Sequence, residues 1–435
     1  MQLKTQPYKG ARDFYPEDKR VQKYMFAKMR EVCERFGYEE YDAPILEPEE
    51  LYLAKSSDEI VSEQTYVFTD RGDRRVVIRP EMTPTVSRMV AGRRQELAYP
   101  VRWYSIPNLW RYERPQRGRL REHWQLNVDI FGVAGLEAEL EMIQIVDGIL
   151  KSFGAKSKMY TVKLNSRILV NYLMNSVLGL DETAAQTLIR LIDRMHKMSE
   201  AEFYGQVELV MGPGKRDSNE YRLLLDFLKV TSVDSLAPEL QQSDTVQRLK
   251  KLVDMLSDVS IHNVVFDPTL MRGFDYYTDI VFEVFDNNPD NNRSMFGGGR
   301  YDGLVGMFGV EPVPTVGFGM GDVTLQNFLE SNNLIPNLRP ETELYIAIIG
   351  EAQTKAHKVI KELREMHMNV FVDYTGRKVD KQLKSALKKS SKYIVFIGDN
   401  ELKSEQYVLR NLDTGKEEAH SLQRIVSIIK DHRNS

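Results

Sequence analysis

The sequence predicts an α+β protein: an antiparallel sheet flanked by helices, interrupted by a mostly helical insertion and followed by a separate α/β domain. Three observations carry the prediction. Over residues 1–160, short segments rich in β-branched and aromatic residues are interspersed with amphipathic helical patterns, the mixture expected of hairpins packed under helices. Residues 161–255 lose that mixture and turn helical, before strand patterns return over 256–331. Beyond a Pro- and Asn-rich linker at 332–343, residues 344–435 alternate short, continuously apolar strands with helices, which describes a small parallel α/β domain.

Residues 17–36 form an amphipathic helical pattern that stops at Gly37. Tyr38–Glu47 alternates like a strand and is broken by Pro44. Further strand patterns fall at Gln64–Thr69, Val76–Arg79, Val101–Ser105 and Leu126–Phe131. Between them, Thr83–Arg94 is a helix entered through Pro84, whose fixed φ suits a first turn, and Glu137–Ser152 is a second helix. In the insertion, Asp181–Met198 and Asn219–Leu228 start acidic and end basic, which complements the helix dipole. Strands return at Val264–Phe266, Ile280–Phe285 and Thr315–Gly319. The last domain places strands at Leu344–Ile349, Asn369–Asp373 and Tyr393–Ile397, separated by helices at Ala352–Met366 and Val379–Lys389.

At 435 residues the chain can form two or three domains with cores of their own. A net charge of −4 gives no global basic field, so any polyanion site has to be a local patch. No apolar run approaches the ~18 residues of a membrane span, and the start MQLKTQPYKG lacks a signal-peptide core. A cytoplasmic protein without a membrane partner is expected. The single cysteine, Cys33, lies in a helical pattern and cannot form an intrachain disulfide; packing is its ordinary role. The 7 histidines show no HxxxH or HExxH spacing and no cysteine companions, which speaks against zinc or any protein-held metal.

The densest chemistry lies in Arg111–Gln125, which holds Arg111, Arg114, Arg117, Arg119 and Arg121 between two strand patterns and is broken by Pro115 and Gly118. Guanidiniums presented from a hairpin are fixed, bidentate donors suited to phosphate oxygens, although an exposed charged hairpin has the same composition. Arg79-Pro-Glu-Met-Thr83 sets Glu81 and Thr83 where a strand gives way to a helix. They suit an ammonium group, and helix capping accounts for them equally simply. In Leu270–Thr278, Arg272, Asp275, Tyr276 and Tyr277 bring a cation and phenols to a strand entrance, where a structural ion pair and core tyrosines are the plainer meaning. Phe296–Leu304 (FGGGRYDGL) is a glycine-rich turn where backbone can approach a ligand, and Met211–Lys215 is a turn that lacks phosphate-loop spacing. In the last domain Arg377, Lys378, Lys381, Lys384, Lys388, Lys389 and Lys392 crowd one segment, which describes a solvated helix face or a local nucleic-acid contact.

Together these segments resemble the class II aminoacyl-tRNA synthetases, and within them the histidyl family, over nearly the whole chain. Gly37–Pro48 is similar to motif 1, Arg111–Asp129 to motif 2 and Thr315–Leu329 to motif 3, while LMRGFDYYT and GGGRYDGL are similar to the two histidyl signatures. The resemblance implies a homodimer that pairs through motif 1, a C-terminal anticodon-binding domain, and two-step ligation of histidine to tRNA(His). In the first step, ATP and Mg²⁺ would be used to make histidyl-adenylate. It implies Arg111 and Arg272 as the catalytic cations, with Arg111, Glu113 and Arg119 holding ATP. Glu81, Thr83 and Gln125 would meet the α-amino group of histidine, Asp129 and Tyr277 would meet the imidazole nitrogens, and Arg272 and Tyr276 would line the same pocket. Arg377, Lys378, Lys381 and Lys384 would meet tRNA.

One departure stands out. Motif 3 of the family ends in a glutamate–arginine pair whose arginine grips the γ-phosphate, and here Val323 and Thr324 occupy those places. Either another arginine, such as Arg119 or Arg300, supplies that charge, or ATP is held more weakly. The altered motif also fits two rivals: the regulatory paralogue of ATP phosphoribosyltransferase, and a non-catalytic histidine or RNA sensor. Retention of Glu81, Arg111, Gln125 and Arg272, and of the C-terminal domain, argues for the synthetase.

Overall fold

Residues 3–53, 64–212, 214–271, 276–291 and 293–431 are described by the computed structural model. They divide into two units, residues up to 13 with 22–335, and 14–21 with 336 onward. In the first unit the strands are β1 (Glu39–Glu40), β2 (Leu46–Pro48), β3 (Tyr66–Thr69), β4 (Arg75–Ile78), β5 (Val101–Ser105), β6 (Asn108–Trp110), β7 (Glu122–Phe131), β8 (Tyr160–Ser166), β9 (Val264–Phe266), β10 (Ile280–Asp286), β11 (Ser294–Arg300) and β12 (Thr315–Gly321).

The large sheet has the order β1-β5-β7-β12-β11-β10-β8-β9, with β6 also pairing with β7. Its centre is antiparallel, as expected, while β1 and β9 join the edges in parallel. A small antiparallel sheet, β2-β4-β3, lies apart from it. Alternation along β7 separates the two faces of the large sheet. Leu126, Val128 and Ile130 turn with Val316, Phe318 and Met320 of β12 to a buried face. The helix Glu137–Ser152 packs there through Ile143, Val146 and Leu150. On the opposite face, Val101 and Phe131 pack under Val86 and Val90 of the helix Thr83–Gly92. That helix covers the Val101 and Phe131 end of the face.

Several elements differ from the sequence pattern. Tyr38–Glu47 is not one strand but β1 and β2 in two sheets, because Pro44 and its neighbours turn the chain between them. The expected turn Phe296–Leu304 is instead largely β11, paired on both sides by β10 and β12. Its glycines signal close backbone approach rather than a turn: a Cβ on Gly298 would stand 2.2 Å from the Gly317 carbonyl oxygen. The boundary expected at residue 161 falls inside β8, a strand of the large sheet in which Tyr160, Val162 and Leu164 alternate as buried residues. Helices follow at Glu182–Arg194, Glu200–Met211, Asn219–Phe227 and Asp244–Asp258. Ser199, Ser218 and Ser243 cap the last three, each side chain accepting a backbone N–H.

The second unit has β13 (Leu344–Ile348), β14 (Val370–Asp373), β15 (Tyr393–Ile397), β16 (Tyr407–Asn411) and β17 (Glu417–His420), ordered β14-β13-β15-β16-β17. The first three pair in parallel and are apolar on both faces, since helices cover both. Leu344, Ile346, Val395 and Ile397 meet the helices Gln353–Glu365 and Leu422–Asp431, while Tyr345, Ala347 and Ile394 meet Ala386 of Val379–Lys388. The antiparallel pair β16–β17 extends this sheet beyond what the apolar runs reveal. No helix among the described residues is long and apolar enough to cross a membrane.

Candidate active site

The site lies on the face of the large sheet that carries His123, Gln125, Asn127 and Asp129, alternate residues of β7. Opposite them in register stand Gly317, Gly319 and Gly321 of β12, and beyond those Gly297 and Gly299 of β11. No side chains rise from this strip. A Cβ on Gly317 would lie 2.2 Å from Asp129 Oδ1, and one on Gly319 would lie 2.8 Å from the Gln125 carboxamide. The glycines therefore leave Asp129 and Gln125 standing over bare backbone, a floor on which a flat ligand can lie.

Asp129 is the electrostatic centre. It is 3% exposed, and the Tyr301 phenol donates a short hydrogen bond to its Oδ1. Its Oδ2 is buried with no hydrogen-bond partner among the described residues. Burial pushes its carboxyl up to about 7, with the Tyr301 bond pulling the other way. A buried acceptor oxygen without a donor is costly, so it marks a place made for one. Tyr276, Tyr277 and Tyr301 cluster beside it, with ring centroids 5.0 Å apart for Tyr276–Tyr277 and 5.6 Å for Tyr276–Tyr301. Burial, then Glu81 and Asp129, pushes the Tyr277 phenol up, so it remains a donor at neutral pH. Tyr276 donates to Glu81 Oε2 at 3.3 Å and its phenol also meets the Thr83 hydroxyl.

The tyrosine cluster thus joins two buried carboxylates, Glu81 at one end and Asp129 at the other. Capping does not explain Glu81 and Thr83. The N-cap of the following helix is Met82, and no side chain caps it. Glu81 is instead part of a buried network in which Tyr52 donates to its carbonyl at 3.1 Å and lies 3.1 Å from Thr85 Oγ1. Thr85 in turn donates to Glu47.

The arginine-rich segment is a hairpin. β6 pairs with the start of β7, the Arg111 N–H continues the ladder to the Arg121 carbonyl at 2.8 Å, and the tip closes between Gln116 and Arg119 with Gly118 at φ +81°. Arg111 donates from Nε to the Pro80 carbonyl at 2.9 Å, which ties its guanidinium to the backbone just before Glu81. Arg119 is half exposed, with Nη1 3.5 Å from Glu113. Arg121 is structural: it lies 4.0 Å over the Tyr112 ring and donates to the Glu113 carbonyl. His123, on the site face, is held neutral, pushed down to about 3 by burial and by Arg111 and Arg12.

Two expectations need correction or limits. Arg300 cannot serve a phosphate: it is buried in a bidentate pair with Glu139, at 2.6 and 2.7 Å, and also donates to the Val133 and Gly135 carbonyls. Arg272 and Asp275 lie outside the described residues. Thr324, where the family carries arginine, donates to the Met295 and Gly321 carbonyls and sits under Gly118 of the hairpin tip. Tyr301, which orients Asp129, was hidden in FGGGRYDGL because its glycines and Arg300 dominate that motif. His123 gave no signal, being one residue in a run of charges. In the second unit Lys381 and Lys384 are exposed on one helix and Lys378 precedes it, whereas Arg377 is tied to Asp373 at 3.0 Å and to Thr375 at 2.7 Å.

Comparison with known proteins is consistent with this geometry. The histidyl-tRNA synthetase family model matches residues 10–323, and an anticodon-binding domain matches 343–432. The chain belongs to the histidyl-tRNA synthetase family. It is 42% identical over 433 residues to a histidine–tRNA ligase of Leptospira biflexa, covering 99% of this chain and 98% of that one. It is 35% identical over 430 residues to that of Thermoplasma volcanium, covering 98% and 99%. Among solved structures, histidyl-tRNA synthetase from Nostoc sp. PCC 7120 superposes with a TM-score of 0.82 at 22% identity, covering 99% of this chain and 100% of that one. A Bacillus halodurans protein described as an ATP phosphoribosyltransferase regulatory subunit/histidyl-tRNA synthetase superposes with a TM-score of 0.75 at 23% identity, covering 92% and 99%. These two likenesses speak to the fold.

Proposed function

We propose that the site centred on Asp129 activates histidine with ATP and passes it to tRNA(His), the histidine–tRNA ligase reaction of the family. The observation that carries the reading is the buried Asp129 Oδ2, which lacks a donor among the described residues that an imidazole N–H supplies. Tyr277 donates to the other ring nitrogen. Glu81 and Thr83, at the far end of the tyrosine cluster, take the ammonium group with Gln125. A pocket that pairs both ring nitrogens leaves buried groups unpaired with any other amino acid. Discrimination of about 10⁴–10⁵ follows without editing.

No protein nucleophile is needed. The histidine carboxylate attacks the α-phosphorus, forming the acyl–phosphate bond while the bond to pyrophosphate breaks. The terminal ribose hydroxyl of tRNA then attacks the carbonyl and AMP leaves. The protein orients the reactants and stabilises charge. Arg111, tied to the backbone just before Glu81, neutralises the α-phosphate, and Arg272 is assigned the same task on the histidine side. Glu113 reads the adenine edge and Arg119 reaches the outer phosphates. Cys33 takes no part, since burial and Glu34 push its thiol up to about 12.

Among the described residues no cluster of three or more His, Cys, Asp or Glu is placed to hold a metal unaided. Mg²⁺ fits as a companion of ATP, held by phosphate oxygens with one carboxylate. Glu283, on the site face beside Gly297, suits that place. When bound, the ion neutralises triphosphate charge.

Lys378, Lys381 and Lys384 offer an exposed positive face to tRNA, with Arg377 bracing its edge. The outward Ile45, Leu46 and Phe68 on and beside the small sheet suit burial against a second copy, making a cytoplasmic homodimer. Histidine-dependent ATP–pyrophosphate exchange, run with each of the twenty amino acids, tests the first step. Exchange with histidine alone is expected, and none with any amino acid in a folded protein would refute the reading. Reversing Lys381 and Lys384 to glutamate should depress tRNA charging while sparing exchange, and sedimentation should show a dimer.

A further inference from the structure

Thr324 removes a cation from the triphosphate end of the site, and nearby residues show what replaces it. Its hydroxyl donates to the Met295 carbonyl at 2.8 Å, so the entry of β11 lies against it. Arg293 stands immediately before β11, where a bulge at Met295 interrupts the strand's alternation. Met295, in turn, is buried.

Arg293 reaches the hairpin tip, where its Nη1 donates to the Arg117 carbonyl at 3.3 Å. Arg117 returns the contact, its Nη1 donating to the Asp290 carbonyl at 3.2 Å. Gly118, next in the tip, stands over Thr324: a Cβ built there would lie 3.5 Å from Thr324 Cγ2. Among the described residues neither Arg117 nor Arg293 is paired with a carboxylate. Both are exposed. Two guanidiniums without a carboxylate partner among the described residues thus meet at the hairpin tip that stands over Thr324. Arg300, at the end of β11, is committed to Glu139.

We infer that Arg293, held against the hairpin tip by Arg117, is the ATP-binding cation that takes over the outer-phosphate contact Thr324 cannot make. The inference rests on the ATP-dependent reading above. A guanidinium arriving from the β11 entry approaches the same phosphates from the strand beside motif 3.

The test uses the full-length protein in histidine-dependent ATP–pyrophosphate exchange with MgATP. Arg293→Ala should raise the ATP KM roughly 10- to 100-fold, the loss of one charge-assisted phosphate contact, with the histidine KM unchanged. Arg293→Lys should recover part of the loss. Adding Thr324→Arg to Arg293→Ala should restore ATP affinity by returning the charge from the motif 3 side. An ATP KM within twofold of wild type in Arg293→Ala overturns the inference. So does a matching rise in both KM values, which would mean that Arg293 only braces the hairpin. Absence of exchange in the wild-type protein would strike the ATP-dependent reading itself, and so is distinguishable from failure of Arg293 alone.

Discussion

Asp129→Asn separates what this carboxylate costs the fold from what it gives the reaction. The substitution keeps the shape and removes the charge. In the folded protein Asp129 is pushed from an ordinary 3.8 to about 7, chiefly by burial. Between about pH 4 and pH 7 the native state therefore holds a proton that the unfolded chain has released, so stability falls as pH rises through that window. A gap of that size corresponds to about 4 kcal/mol at 1.36 kcal/mol per pKa unit. The new amide brings a buried NH₂ that itself costs about 1–3 kcal/mol, at any pH. The variant should gain on wild type by up to about 4 kcal/mol between pH 4 and pH 8. Denaturant titrations at the two pH values measure this directly.

Histidine recognition should move the other way. Losing a charge-assisted acceptor costs about 1.5–3 kcal/mol, so the histidine KM should rise roughly 10- to 150-fold while the ATP KM holds. In wild type, two protons on the Asp129–imidazole pair would set donor against donor, whereas one or none sets donor against acceptor. With Asp129 at about 7 and the free histidine ring near 6.5, kcat/KM for histidine should hold above pH 7. Below about pH 6.5 it should fall, about tenfold per pH unit. The reasoning fails if the variant keeps a wild-type histidine KM, or if its stability gain is no larger at pH 8 than at pH 4.

Other perturbations probe the parts that hold Asp129 and its surroundings. Tyr301→Phe removes the donor that favours the carboxylate, so the fall in stability with rising pH should extend to higher pH than in wild type; an unmoved stability profile would show the phenol to be packing alone. Gly317→Ala places a Cβ 2.2 Å from Asp129 Oδ1 and 2.8 Å from the Val128 carbonyl, so histidine exchange should collapse. Wild-type kinetics there would mean the floor is not tight. Glu139→Gln leaves Arg300 buried against a neutral partner, which should cost about 3–5 kcal/mol in denaturant melts and raise the histidine KM even where the protein stays folded; an unchanged KM there would show that the pair does not hold Asp129 in place.

Much of the frame was legible because it follows local rules. The helices Glu137–Ser152 and Thr83–Gly92 lie within two residues of their apolar patterns, and β13, β14 and β15 announce themselves as fully apolar runs. What stayed hidden was set by partners rather than by local sequence. FGGGR in isolation has every mark of a turn, and it becomes a strand only because β10 and β12 press so closely on it that no side chain fits. The roles of Tyr301 and Arg300 depend on which side of that strand each side chain leaves. Neighbours in sequence, one orients Asp129 and the other locks to Glu139.

That opposition is also how the fold keeps a costly site in place. Asp129 is buried without a counter-charge among the described residues, and it stands on a strip of glycines that contribute no packing of their own. A sheet so depleted on one face needs its register fixed from the other. Arg300 does this from behind β11: one guanidinium ties the strand to the helix Glu137–Ser152 through Glu139 and to the chain before it through the Val133 and Gly135 carbonyls. A one-residue slip of β11 would bring Arg300 toward the site face and carry Tyr301 away from Asp129. The buried ion pair therefore makes its contribution less in net stability, where such pairs do little, than in register, which the orientation of Asp129 requires.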